Sequence, residues 1–126
     1  MKLVRKDPPR HFLVGAAPQV EMKDCGMLAL EADEQITLLT EGGAEYDVAR
    51  KDWGFYATPS LNGRLEQFGL RGVLIRNRDS GRYFVLLIER GREGAFEAYC
   101  RKDNLAVVAW LDSTAALDSL ARKLEK

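Results

Sequence analysis

An α+β domain, with a curved, largely antiparallel sheet of barrel- or sandwich-like form and with one short helix and a C-terminal helix packed on it, is the fold class this sequence predicts. Three observations predict it. Alternating and apolar runs recur between turn signals from Gln35 to Arg90, the period of two expected of strands joined by hairpins. The period then changes, because Phe96, Tyr99 and Cys100 fall at i, i+3 and i+4, one stripe of a short helix. After one more apolar run, Leu117, Leu120, Ala121 and Leu124 mark the core face of a last helix, and strands followed by helices indicate segregated layers.

Taken in order, residues 1–19 read as a basic arm, flexible or lying on an edge, and residues 20–126 as a single domain. Lys2, Arg5, Lys6 and Arg10 face only Asp7, and the apolar stretch Phe12 to Ala17 that follows is shorter than the roughly 7 to 15 residues of a secretory signal core. Val20 to Leu30 is open to a strand or a helical turn. Ile36 to Thr40 and Glu45 to Ala49 flank Gly42-Gly43, a hairpin signature. Trp53 to Thr58 continues as a strand until Pro59 ends it. Asn62-Gly63 signals a turn, and Leu65 to Leu70 is a loop or short helix. Gly72 to Arg76 and Arg82 to Arg90 form a second hairpin closed at Gly81. Within it the apolar run Tyr83 to Ile88 reads as the central strand, buried on both faces. Asn104 ends the helix from Glu93 to Lys102, Leu105 to Leu111 is a strand, and Asp112 or Ser113 caps the last helix. Arg122, Lys123 and Lys126 suit its negative end.

Composition excludes several function classes. The chain carries 19 basic and 19 acidic side chains in 126 residues, so no global field draws it to nucleic acid or an anionic membrane. No apolar run approaches the roughly 20 residues of a membrane span, and a soluble protein is expected. Two cysteines, Cys25 and Cys100, and the single His11 cannot supply a zinc site of about four ligands, and cysteine usage this sparse fits the cytoplasm. No phosphate loop, catalytic triad or cofactor motif is present, so no cofactor or metal is expected. Cys25, beside Lys23, is a thiol whose nucleophilic role stands against ordinary packing. Asp24, Glu31, Asp33, Glu34 and Asp52 offer carboxylate pairs, but acid–base work needs two held in one cleft, which spacing alone does not establish, and Asp33 with Glu34 suits a solvated turn.

The best candidate site is the stretch Trp53 to Arg64. Its rings stand beside the polar groups of Thr58, Ser60 and Asn62 and the guanidinium of Arg64, a mixture that stacks on, hydrogen-bonds to and charge-pairs with a sugar or phosphate ester. Tyr56 would stack, Ser60 and Asn62 would hydrogen-bond, and Arg64 with Arg76 would neutralise charge. Arg71 and Arg78 lie near enough in sequence for guanidinium groups to converge on one mouth of the sheet. The competing interpretation is that the aromatics fill the core, the Asn-Gly is a plain turn and the arginines are a solvated face.

The run Trp53-Gly-Phe-Tyr-Ala-Thr-Pro-Ser-Leu-Asn-Gly-Arg64, with Phe68-Gly69 and Val73 to Asn77, resembles a family of small bacterial proteins associated with surface-polysaccharide and nucleotide-sugar genes. The likeness covers Gln35 to Leu111 and implies a sugar-linked role without site residues or mechanism. The hairpins also resemble a cupin-type barrel, whose metal-binding form needs a histidine cluster that this chain lacks. The leading expectation is therefore a small cytoplasmic binding or accessory protein for an anionic sugar-type ligand or a partner protein. Two alternatives stand beside it: a metal-independent isomerase or lyase using Asp52 or Glu66 with Tyr56 or an arginine, and a homodimeric interaction module.

Overall fold

The computed structural model of the protein describes residues 1–125; Lys126, expected at the negative end of the last helix, lies outside them. Eight strands and three helices follow in the order β1 (Lys2–Val14), β2 (Val20–Ala29), β3 (Gln35–Leu39), β4 (Glu45–Lys51), β5 (Gly54–Tyr56), α1 (Arg64–Gln67), β6 (Leu70–Asn77), β7 (Tyr83–Glu89), α2 (Glu93–Asp103), β8 (Leu105–Trp110) and α3 (Thr114–Leu124). The class is α+β. The sheet, however, is not one curved surface but three antiparallel sheets, β1-β2, β3-β4-β5 and β7-β6-β8, and none of them closes into a barrel.

The basic segment is a strand, not a free arm, because β1 pairs with β2 along most of its length. Pairing is interrupted between Arg5 and Arg10, where Pro8 and Pro9 stand in an irregularity that needs no N–H from them. Lys6 and Arg10 close on Asp24 of β2, so part of the basic excess is neutralised across the hairpin.

β6 is the central strand of the third sheet, and its two faces belong to two cores. Val73 and Ile75 are 0% and 2% exposed and pack with Ile88, Phe96, Cys100 and Leu105 under α2. On the opposite face Leu70 joins Leu65 and Ala44, with Tyr46, Leu61 and Leu87 around them. Gly72 permits this second core, since a Cβ there would lie 3.2 Å from Leu61 Cδ2.

The expectation that Tyr83 to Ile88 is the buried centre is therefore corrected. β7 is an edge strand, and Tyr83, Phe84 and Val85 are 59%, 47% and 56% exposed. Apolar content cannot distinguish a centre from an edge. The true centre carries Arg71, whose charge is tolerated half-buried because Nε donates to Asp112 at 2.6 Å, Nη1 reaches Glu93 at 3.5 Å and the guanidinium lies 4.0 Å over the Trp110 ring.

Local signals place the helices. Asn104 adopts the left-handed conformation (φ 55°) that ends α2, and the Ser113 hydroxyl accepts from the Ala116 amide at 3.2 Å to begin α3. α3 lies beside Ala109, Trp110 and Leu111, yet none of its residues is buried. Its Leu120 and Leu124, expected to face the core, remain exposed.

Leu65 is the one fully buried side chain of α1. Leu65→Ala should lower unfolding stability by about 2–5 kcal/mol, read as a shifted urea midpoint at unchanged slope.

Candidate functional site

The second core fixes the loop between β5 and α1 from beneath. The Tyr46 hydroxyl donates to the Ala57 carbonyl, Leu61 packs on Leu65 and its neighbours, and the Asn62 amide donates to Thr114 Oγ1 at 3.1 Å. Ser60 Oγ accepts from the Arg64 amide at 2.7 Å, and the Ser60 carbonyl accepts from the Leu65 amide at 3.1 Å. These bonds start a helix of only four residues, too short to persist unless held from outside.

Strand register supplies the floor. Gln35 pairs with Ala49, and Ala49 pairs with Tyr56, so the three share one face across β3, β4 and β5. With Asp47, Pro59, Ser60 and Arg64 they line a hollow of about 270 Å³. Arg64 Nη2 approaches Asp47 Oδ2 at 3.3 Å, its guanidinium lies 5.3 Å from the Phe68 ring centroid, and 60% of its side chain is exposed. Thr37 donates to the other Asp47 oxygen at 2.7 Å. Arg64 thus has most of its donors free for a ligand.

Three of the expected site residues, Tyr56, Ser60 and Arg64, meet in this hollow. Thr58 is half-buried in the bend before Pro59. Asn62 is directed to α3 and does not line the hollow. The arginines do not converge: Arg71 is enclosed by Asp112 and Glu93, Arg76 lies over Tyr83 at 5.9 Å, and Arg78 donates to the Leu105 carbonyl. The aromatics are not core either, since Trp53, Phe55 and Tyr56 are 68%, 60% and 55% exposed. Gln35 and Asp47 are lining residues that the sequence reading passed over; the alternation of β4 signals them once its register with β3 and β5 is known.

Of the carboxylates considered for acid–base work, Glu66 pairs with Arg90 at 2.8 Å and Asp52 is exposed in the turn between β4 and β5. Cys25 is exposed on β2, whereas Cys100 is buried under sheet β7-β6-β8, where burial pushes its thiol up. Among the described residues no group of three or more His, Cys, Asp or Glu is placed to hold a metal ion. No helix of the described residues is long and apolar enough to cross a membrane. Comparison of the chain with known family models, with curated proteins and with solved structures finds no match.

The Arg71 guanidinium beside Asp112 holds that carboxyl below its ordinary range. A carboxyl depressed by folding contributes stability that is complete above its unfolded pKa and is lost as pH falls through the folded one. Asp112→Asn should cost about 1–3 kcal/mol at neutral pH. Its deficit relative to wild type should shrink as pH falls from about 4, as measured by urea unfolding across an acid series.

Proposed function

We propose that the protein is a small cytoplasmic binding or accessory protein that holds a sugar-type ligand carrying a negative charge in the hollow between sheet β3-β4-β5 and α1. The observation that carries this reading is the meeting of Tyr56, Ser60 and Arg64 with Gln35 and Asp47 around one cavity. An exposed phenol ring offers a face on which a pyranose can stack. Gln35, Ser60 and Asp47 offer the mixed donors and acceptors that hydroxyl groups require. The Arg64 guanidinium, bound on one side to Asp47, presents its remaining N–H groups to a carboxylate or phosphate. A volume of about 270 Å³ lies just below the roughly 300–1,000 Å³ of ordinary ligand sites and favours a single sugar ring over a dinucleotide.

The resemblance of the Trp53 to Arg64 segment to proteins linked to surface polysaccharide points to the same ligand class. Two free thiols, Cys25 exposed on β2 and Cys100 buried on α2, accord with a reducing compartment.

An NMR titration with glucose 1-phosphate, glucuronic acid and glucose tests the reading. Saturable shifts should appear at Gln35, Tyr56, Ser60 and Arg64, with the two acidic sugars bound more tightly than glucose. Arg64→Gln should weaken the acidic sugars about tenfold or more and leave glucose nearly unaffected. If none of the three moves these resonances, the hollow is not a sugar site.

A further inference from the structure

We propose that the outer edge of β7 is a self-association surface, which joins to the same edge of a second copy about a twofold axis and extends β7-β6-β8 into a six-stranded sheet. This does not rest on the sugar reading, since no residue of the hollow is used.

The direction of the β7 backbone groups follows from two bonds at its ends. The Asn77 amide donates to the Arg82 carbonyl at 2.8 Å, and the Arg90 amide donates to the Gly69 carbonyl at 2.8 Å. With the unbroken register Leu70↔Glu89 to Arg76↔Tyr83, even-numbered residues of β7 exchange bonds with β6. The N–H and C=O groups of Tyr83, Val85 and Leu87 therefore point away from β6, toward the edge. Among the described residues they have no backbone partner.

Edges of this kind are ordinarily protected by prolines, charges, bulges or a covering segment. β7 has seven residues, Tyr-Phe-Val-Leu-Leu-Ile-Glu, with no proline, no bulge and no charge before Glu89. Tyr83 and Val85 also lie on the sheet face that the Leu65 core leaves uncovered beyond Leu87, next to half-buried Leu74. A largely apolar strip, with the Arg76 guanidinium over the Tyr83 ring at one end, thus coincides with a row of free backbone groups.

Symmetry, with the exposed area of the chain beside it, supports a second copy as the occupant. A compact monomer of 14.2 kDa exposes about 6,800 Å². This chain exposes 9168 Å², an excess of roughly 2,400 Å² over that scaling. Obligate homodimers bury about 1,000–2,500 Å² per copy; the excess is shared by β1, β2, β3, β5 and α3 as well as β7, and pairing along β7 removes the part that lies there. The formal net charge is zero, so two copies meet without global repulsion. An antiparallel edge is also its own complement under twofold symmetry. The register centred on Val85 engages all three outward residues and sets Tyr83 across from Leu87 of the partner subunit.

Sedimentation equilibrium of the full chain from low to high micromolar concentration tests the proposal, and the expected species has twice the chain mass. Val85→Lys, at a side chain exposed in the single chain, puts like charges against each other at the axis and should raise the dimer dissociation constant at least about 100-fold, with an unchanged far-ultraviolet circular dichroism spectrum. Val108→Lys, an exposed valine on the opposite edge strand, should leave the dimer intact. In hydrogen exchange the Tyr83, Val85 and Leu87 amides should be protected in wild type and fast in Val85→Lys. A monomeric wild type at the highest concentration, or a Val85→Lys dimer as tight as wild type, overturns the proposal.

Discussion

Burial of β6 on both faces is the constraint on which the rest of the structure depends. It is the one strand that is paired along both edges and also covered from above and below. Val73 and Ile75 hold α2 through Phe96 and Cys100, while Leu70, one strand end away, meets Leu65 and Ala44. Loss of this strand would separate the core under α2 from the core around Leu65. Each core is small, and every fully buried side chain matters more where few are available.

The hollow inherits its geometry from the second of these cores. Tyr46 contributes its ring to the Leu65 cluster and its hydroxyl to the Ala57 carbonyl, so one residue connects packing to the position of the loop. Leu61 and Leu65 anchor the same loop on either side of Gly63. Tyr56 and Ser60 can therefore keep a fixed separation although both are exposed. A surface held in this way would lose little entropy to a bound molecule.

What could be read from the sequence was what neighbouring residues decide between themselves. The β3-β4 and β6-β7 hairpins, the left-handed Asn104 and the Ser113 cap follow from turn and capping chemistry over a few positions. Strand order did not follow, because Tyr83 to Ile88 is more apolar than Leu70 to Asn77 and yet lies outside it. The basic first strand was obscured by its prolines, which lie where the ladder is broken. The site was half visible. Tyr56, Ser60 and Arg64 are close in sequence and meet, whereas the destinations of Asn62, Arg71 and Arg76 were set by Thr114, Asp112 and Tyr83, partners that no short-range pattern specifies.

Leu87 ties these features to one another. Its side chain packs against the Leu65 cluster that supports the loop, and its backbone groups point to the open edge of β7. Val85 and Tyr83 have the same backbone direction without the packing, so the covered and uncovered parts of this face meet at Leu87. A strand laid along the edge would restrain Leu87 through its main chain and, through its side chain, Leu61 and the bend at Pro59. Ordering of the edge by such a strand would reach, through contiguous packed side chains, the Leu65 cluster on which the loop rests.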